Sequence, residues 1–188
     1  MFELRVTGFG GQGILRCGMI IGKALSLYGG KHATLTQAFG PEARGSACSA
    51  CVVIDDQPVT YPYIRGTDGL VAMSQEGYSK FKSELRPNGI LMTERELVVV
   101  DEPPTRKAFS IPATRMAEQI GMKMSANLVM IGFFGAVTGI ADVDVLKKAI
   151  PGTVPERFLE QNLRALVIGW EFGLKEVAAA KPAKEAVR

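Results

Sequence analysis

The feature that most constrains this chain is a glycine cluster set between an apolar run and an amphipathic one. Gly8-Phe9-Gly10-Gly11-Gln12-Gly13 follows Phe2 to Thr7, which reads as a strand. It precedes Ile14 to Tyr28, where Ile14, Cys17, Gly18, Ile21, Leu25 and Tyr28 fall on one helical face. Gly29-Gly30 ends that helix, and His32 to Phe39 reads as a second strand. A strand, helix and strand joined this way imply a parallel pair. The spacing Gly8-x-Gly10-x-x-Gly13 suits a tight turn that brings backbone N–H groups and a helix N-terminus to an anion. Three readings stay open for it: dinucleotide binding, close packing alone, or contact with a phosphate of another ligand or a subunit seam. Against a dinucleotide, no Asp or Glu ends the second strand to hold a ribose hydroxyl.

Further along, Ala47 to Ile54, Asp68 to Met73, Ile90 to Thr93, Leu97 to Val100 and Lys107 to Ile111 read as strands. Gln75 to Leu85 reads as a helix, and Pro87-Asn88-Gly89 as a turn. Pro112 opens a helix to about Ile120. The last third reads as helical. Asn127 to Val137 is apolar on nearly every face, Asp142 to Ile150 follows, and Pro155 to Val177 carries Leu159, Leu163, Leu166, Trp170 and Leu174 as a stripe. The pattern predicts a single α/β domain over 1–177: a Rossmann-like open, mainly parallel sheet with flanking helices, then a frayed tail over 178–188.

Composition narrows the function classes. With 188 residues the chain buries a real core, and a net charge of +3, spread along the sequence, gives no nucleic-acid or membrane stripe. No stretch reaches the roughly 18 apolar residues of a spanning helix, and Met1 to Val6 has no leader pattern, so a cytoplasmic location is expected. Three cysteines and one histidine fall short of the usual four-ligand iron–sulfur set, so no metal site and no catalytic residue is assigned to the chain alone. Cys48-x-x-Cys51 lies in a strand, where residues three apart face opposite ways, so a shared metal is not expected. His32 reads as a surface residue, Cys17 as core, and Asn127 first as an N-cap and second as a partner contact.

A second loop, Pro41-Glu42-Ala43-Arg44-Gly45, leaves the second strand. A local Glu–Arg ion pair is one reading. The other is that both loops line one crevice at the carboxyl end of the sheet, where ligands of such folds bind. At this point the sequence resembles the gamma subunit of 2-oxoacid:ferredoxin oxidoreductases over about residues 3–175. The resemblance rests on Val6-Thr7-Gly8-Phe9-Gly10-Gly11-Gln12-Gly13-Ile14, Phe39-Gly40-Pro41-Glu42-Ala43-Arg44-Gly45, Val52-Val53-Ile54-Asp55 and Tyr61-Pro62. Asn127-Leu128-Val129-Met130-Ile131-Gly132 and Glu160-Gln161-Asn162-Leu163-Arg164-Ala165, with Gly169, extend it. Two departures are Ser46, where the family usually has a second Gly, and the two cysteines of the following strand.

The resemblance implies a reaction in which a 2-oxoacid, coenzyme A and oxidised ferredoxin give acyl-CoA, carbon dioxide and reduced ferredoxin, with 2-oxoglutarate ahead of pyruvate, branched-chain 2-oxoacids and indolepyruvate. It implies that thiamine diphosphate, Mg²⁺ and iron–sulfur clusters sit in alpha, beta and, in some members, delta subunits, with ferredoxin met through the complex. A contact between two copies of the chain is a further option. Candidate contacts to a ligand or to a partner's cofactor are Gly8, Gly10, Gly11, Gln12, Gly13, Glu42, Arg44, Gly45 and Asn127. A free-standing nucleotide-binding protein and a purely structural adaptor are the rival readings.

Overall fold

The computed structural model describes residues 1–38, 47–101 and 107–180. Six strands form one sheet: β1 (Phe2–Phe9), β2 (His32–Ala38), β3 (Ala47–Asp55), β4 (Thr67–Ala72), β5 (Leu85–Glu94) and β6 (Lys107–Ile111), in the order β2-β3-β1-β4-β5-β6. β1, β4, β5 and β6 are parallel neighbours, whereas β3 pairs antiparallel with both β1 and β2. The expected parallel pair is therefore corrected: β2 does run in the same direction as β1, but β3 lies between them. A right-handed crossover fixes direction, not adjacency.

Helices α1 (Ile14–Leu27), α3 (Ala113–Gln119), α4 (Ala126–Thr138), α5 (Val143–Ala149) and α6 (Leu159–Ala180) join the main core, while α2 (Gln75–Phe81) packs on a second cluster of Leu70, Ala72, Leu85 and Leu91. Successive strand residues face opposite ways. Leu4, Val6, Ala50 and Val52 accordingly bury against α1, and Arg5, Ser49 and Cys51 turn to the other side. There Arg5 donates to Ser49 Oγ (3.0 Å) and Glu84 Oε2 (2.6 Å) and lies over the Phe81 ring.

Several expected boundaries shift for local reasons. Leu97 to Val100 forms no strand, because the buried Glu94 carboxylate accepts from Glu96 N and Leu97 N (both 2.8 Å) and turns the chain there. Pro87-Asn88-Gly89 lies inside β5 as a register irregularity against β4, not as a turn before it. The stripe on α6 is rotated. Its buried face is Asn162, Ala165, Leu166, Gly169 and Gly173, while Leu174 is 49% exposed. The cause is α4: a Cβ on Gly132 would lie 1.9 Å from Leu166 O, and one on Gly169 would lie 1.9 Å from Val129 O. Two helix backbones meet here, so Gly132 and Gly169 set the closest contact of the seam, with Leu166 buried beside them. Tyr28, counted on the apolar face of α1, is exposed beyond the helix end, and Ile20 and Ala24 take the burial instead.

Candidate functional site

The site is built at the carboxyl ends of β1 and β4. α1 leaves β1 toward one face of the sheet and α2 leaves β4 toward the other, the switch point at which open α/β sheets bind ligands. Gln12 pins the glycine loop across this gap. Its Oε1 accepts from Phe9 N (2.7 Å) and its Nε2 donates to Met73 O (2.9 Å), while Met73 N donates to Thr7 O (2.8 Å). The side chain of Gln12 thus shapes the loop from within.

The four glycines do different things. A Cβ on Gly8 would lie 2.4 Å from Gln12 Oε1 and 2.6 Å from Ile14 Cδ1, so a larger residue there would have to displace the Gln12 side chain that pins the loop. Gly13 has φ 76°, and its Cβ would lie 2.4 Å from Asn127 Nδ2. Gly11 has φ 98°, a left-handed conformation that favours glycine. Gly10 has neither constraint: a Cβ would meet none of the described residues within 4 Å. Close packing therefore accounts for Gly8 and Gly13 and leaves Gly10 unexplained.

Beyond the loop, α1 starts at Gly13 with no side-chain cap and no acidic residue in its first turn. The first backbone N–H groups of a helix have no intrahelical partner, so this end is positive and donor-rich. Asn127 stands beside it, 1% exposed, although 114 residues separate it from Gly13. Its Oδ1 accepts from Leu128 N (3.0 Å), its backbone carbonyl accepts from Cys17 Sγ (3.7 Å), and its Nδ2 donates to none of the described residues. The N-cap of α4 is Ser125, so the first reading of Asn127 is corrected: its carboxamide caps no helix and packs beside Gly13. Next to the first turn of α1 lies a cavity of about 390 Å³ lined by Arg16, Met122, Lys123, Phe158 and Asn162. Sequence reading missed this cavity, because its walls come from three distant segments with no shared motif.

Glu42, Arg44 and Gly45 lie outside the described residues. The strands that flank them are placed, however. Ala38 at the end of β2 and Thr7 near the end of β1 are both level with Ser49 of β3. Both carboxyl ends thus lie at one end of the sheet, two strand spacings apart, or about 9–10 Å.

The cysteines stay apart from this chemistry. Cys17 is buried, and burial pushes its thiol up to about 12. Cys48, half-buried, contacts Gly8 O (3.4 Å) under the loop, while Cys51 lies on the opposite face near Arg5, and burial raises both thiols. No group of three or more His, Cys, Asp and Glu suited to a metal ion occurs among the described residues, and no helix there is long and apolar enough to cross a membrane.

An open, mainly parallel α/β sheet with a glycine-loop helix at its switch point defines the class of Rossmann-like α/β proteins. Within that class, residues 3–172 match the pyruvate ferredoxin/flavodoxin oxidoreductase family, and the chain belongs to it. It is 41% identical to the 2-oxoglutarate synthase subunit KorC of Methanocaldococcus jannaschii, with 90% of this chain and 92% of the relative covered. It is 32% identical to the ketoisovalerate oxidoreductase subunit VorA of Methanothermobacter thermautotrophicus, over 93% of this chain and 37% of the relative. Among solved structures, the gamma subunit of a keto/oxoacid ferredoxin oxidoreductase from Geobacter sulfurreducens superposes with TM-score 0.83 at 33% identity, covering 93% of this chain and 99% of that one.

Proposed function

We propose that the chain is the gamma subunit of a 2-oxoglutarate:ferredoxin oxidoreductase, the enzyme that decarboxylates 2-oxoglutarate oxidatively with coenzyme A and reduces ferredoxin. The near-full-length likeness to a 2-oxoglutarate synthase subunit supports this substrate over pyruvate or ketoisovalerate. Alpha and beta subunits, and a delta subunit where present, hold thiamine diphosphate, Mg²⁺ and the iron–sulfur clusters. Thiamine diphosphate supplies the carbanion chemistry of decarboxylation and the clusters carry electrons to ferredoxin.

This chain's own part is to present an anion-binding face to that centre. The observation that carries the reading is the open position at Gly10 in front of the uncapped N-terminus of α1. The backbone N–H groups of Gly10, Gly11 and Gly13, the free amide of Asn127 and the guanidinium of Arg44 suit a phosphate of coenzyme A. Glu42 and Gly45 are further candidates for the same contact. The site is read as binding and orienting, not as proton transfer. The test is to recover the tagged chain with its partners from the native cell and assay the complex with several 2-oxoacids. A complex that contains thiamine and iron and turns over 2-oxoglutarate fastest supports the reading. Recovery of the chain alone, with saturable nucleotide binding, contradicts it.

A further inference from the structure

The cavity beside the first turn of α1 has a chemistry that the proposed function does not yet use. Its volume, about 390 Å³, falls within the roughly 300–1,000 Å³ of small-molecule sites. Met122, Val154, Pro155 and Phe158 give it apolar walls, and no carboxylate lines it. Its two cations differ. Lys123 is paired with Glu118 (2.9 Å), whereas Arg16 makes no hydrogen bond or ion pair among the described residues.

Asn162 adds a fixed acceptor. The residue is 4% exposed, and its Nδ2 donates to Phe158 O (2.7 Å), which orients the carboxamide and turns Oδ1 the other way. That oxygen accepts from none of the described residues. Among them, the fully enclosed polar side-chain atoms without a partner are Arg5 Nε and Thr67 Oγ1. Asn162 Oδ1 therefore reaches open space, and the open space that Asn162 borders is this cavity. A ligand that satisfies the cavity carries an N–H donor on an apolar body and a negative charge at its rim.

We propose that this cavity takes the adenosine 3′-phosphate end of coenzyme A, with Asn162 Oδ1 and Arg16 as its polar contacts. The proposal rests on the reading of the glycine loop as a contact for a coenzyme A phosphate. Arg16 follows Gly13 by three residues, about 4.5 Å along the helix, so a diphosphate at the loop sets its attached nucleoside within reach of the cavity. The adenine amino group donates to Asn162 Oδ1, the ring lies against Phe158 and Met122, and the 3′-phosphate meets the guanidinium of Arg16. The pantetheine arm at the other end of the ligand has N–H donors but no charge. It would leave Arg16 unpaired, so the nucleoside end is the better match.

The experiment is calorimetric titration of the tagged chain, with the partners it is recovered with, using adenosine 3′,5′-bisphosphate and adenosine 5′-monophosphate. The wild type should bind the bisphosphate about tenfold or more tightly than the monophosphate, the worth of one charge-assisted contact. Arg16→Ala should bind the two alike, with its partners and circular dichroism spectrum unchanged, and Arg16→Lys should keep part of the preference. In turnover, Arg16→Ala should raise the KM for coenzyme A about tenfold and leave the KM for 3′-dephospho-coenzyme A unchanged. A wild type indifferent to the 3′-phosphate, or an Arg16→Ala variant that keeps the preference, would overturn the proposal. So would an Arg16→Ala variant that loses its partners, which would make the cavity a protein contact. Arg16-dependent nucleotide binding without turnover of any 2-oxoacid would support the cavity and contradict the proposed function. Turnover with coenzyme A, but no dependence on Arg16, would do the reverse.

Discussion

At the residue scale, Gly10 and Gly13 separate what the fold needs from what the site needs. Gly13→Ala forces a left-handed residue to carry a Cβ and drives it onto Asn127 Nδ2, so a loss of about 1–2 kcal/mol or more is expected. Gly10→Ala meets open space and should leave the thermal midpoint of the chain unchanged, and paired melting curves check both. Cys17 gives a pH prediction. Its folded pKa, about 12, lies above the ordinary 9.0, so the neutral thiol is favoured in the folded state. That stability is complete below about pH 9 and is lost as pH rises from there to about 12, because the unfolded thiol ionises first. Denaturant titrations at neutral and alkaline pH should show a steeper alkaline decline for wild type than for Cys17→Ala. The Cys17 thiol should also resist modification until the chain unfolds.

At the element scale, two devices decide the packing. The α4–α6 seam needs glycine on both sides, so Gly169→Ala, which places a methyl against Val129 O, should cost about 3 kcal/mol or more, beyond usual overpacking. Leu174→Ala, on the exposed flank, should cost far less; urea midpoints of the two variants give the comparison. Glu94 is the second device. Its carboxylate accepts from Glu96 N, Leu97 N and Thr114 N, tying the end of β5 to the first turn of α3, and Glu94→Ala should cost about 2–4 kcal/mol by leaving those donors unpaired. These elements also mark the limit of sequence reading. The Gly8–Gly13 turn, α1, α4 and the outline of β1 were legible because their signals are local. The true face of α6 was not, because a leucine stripe and a glycine stripe both run down that helix and only the approach of α4 decides between them. The insertion of β3 between β1 and β2 was hidden for the same reason: strand adjacency is a long-range choice.

At the scale of the whole molecule, residues far apart in sequence meet at one end of the sheet. The glycine loop, Asn127 and the end of β2 were each legible as candidates, but only the fold brings Asn127 to Gly13 and shows that its amide does not cap α4. The arrangement explains how a chain with one histidine, three cysteines and no catalytic residue assigned to it serves an oxidoreductase. On the proposed function it offers shape and positive potential at a seam, and its partners bring the reacting groups. The most direct test is the KM for coenzyme A of the assembled complex carrying Gly10→Val in this chain. The account predicts a complex that assembles normally, a KM for coenzyme A raised about tenfold or more, equivalent to about 1.4 kcal/mol, and a KM for 2-oxoglutarate little changed. A normally assembled complex whose KM for coenzyme A matches the wild type would contradict it.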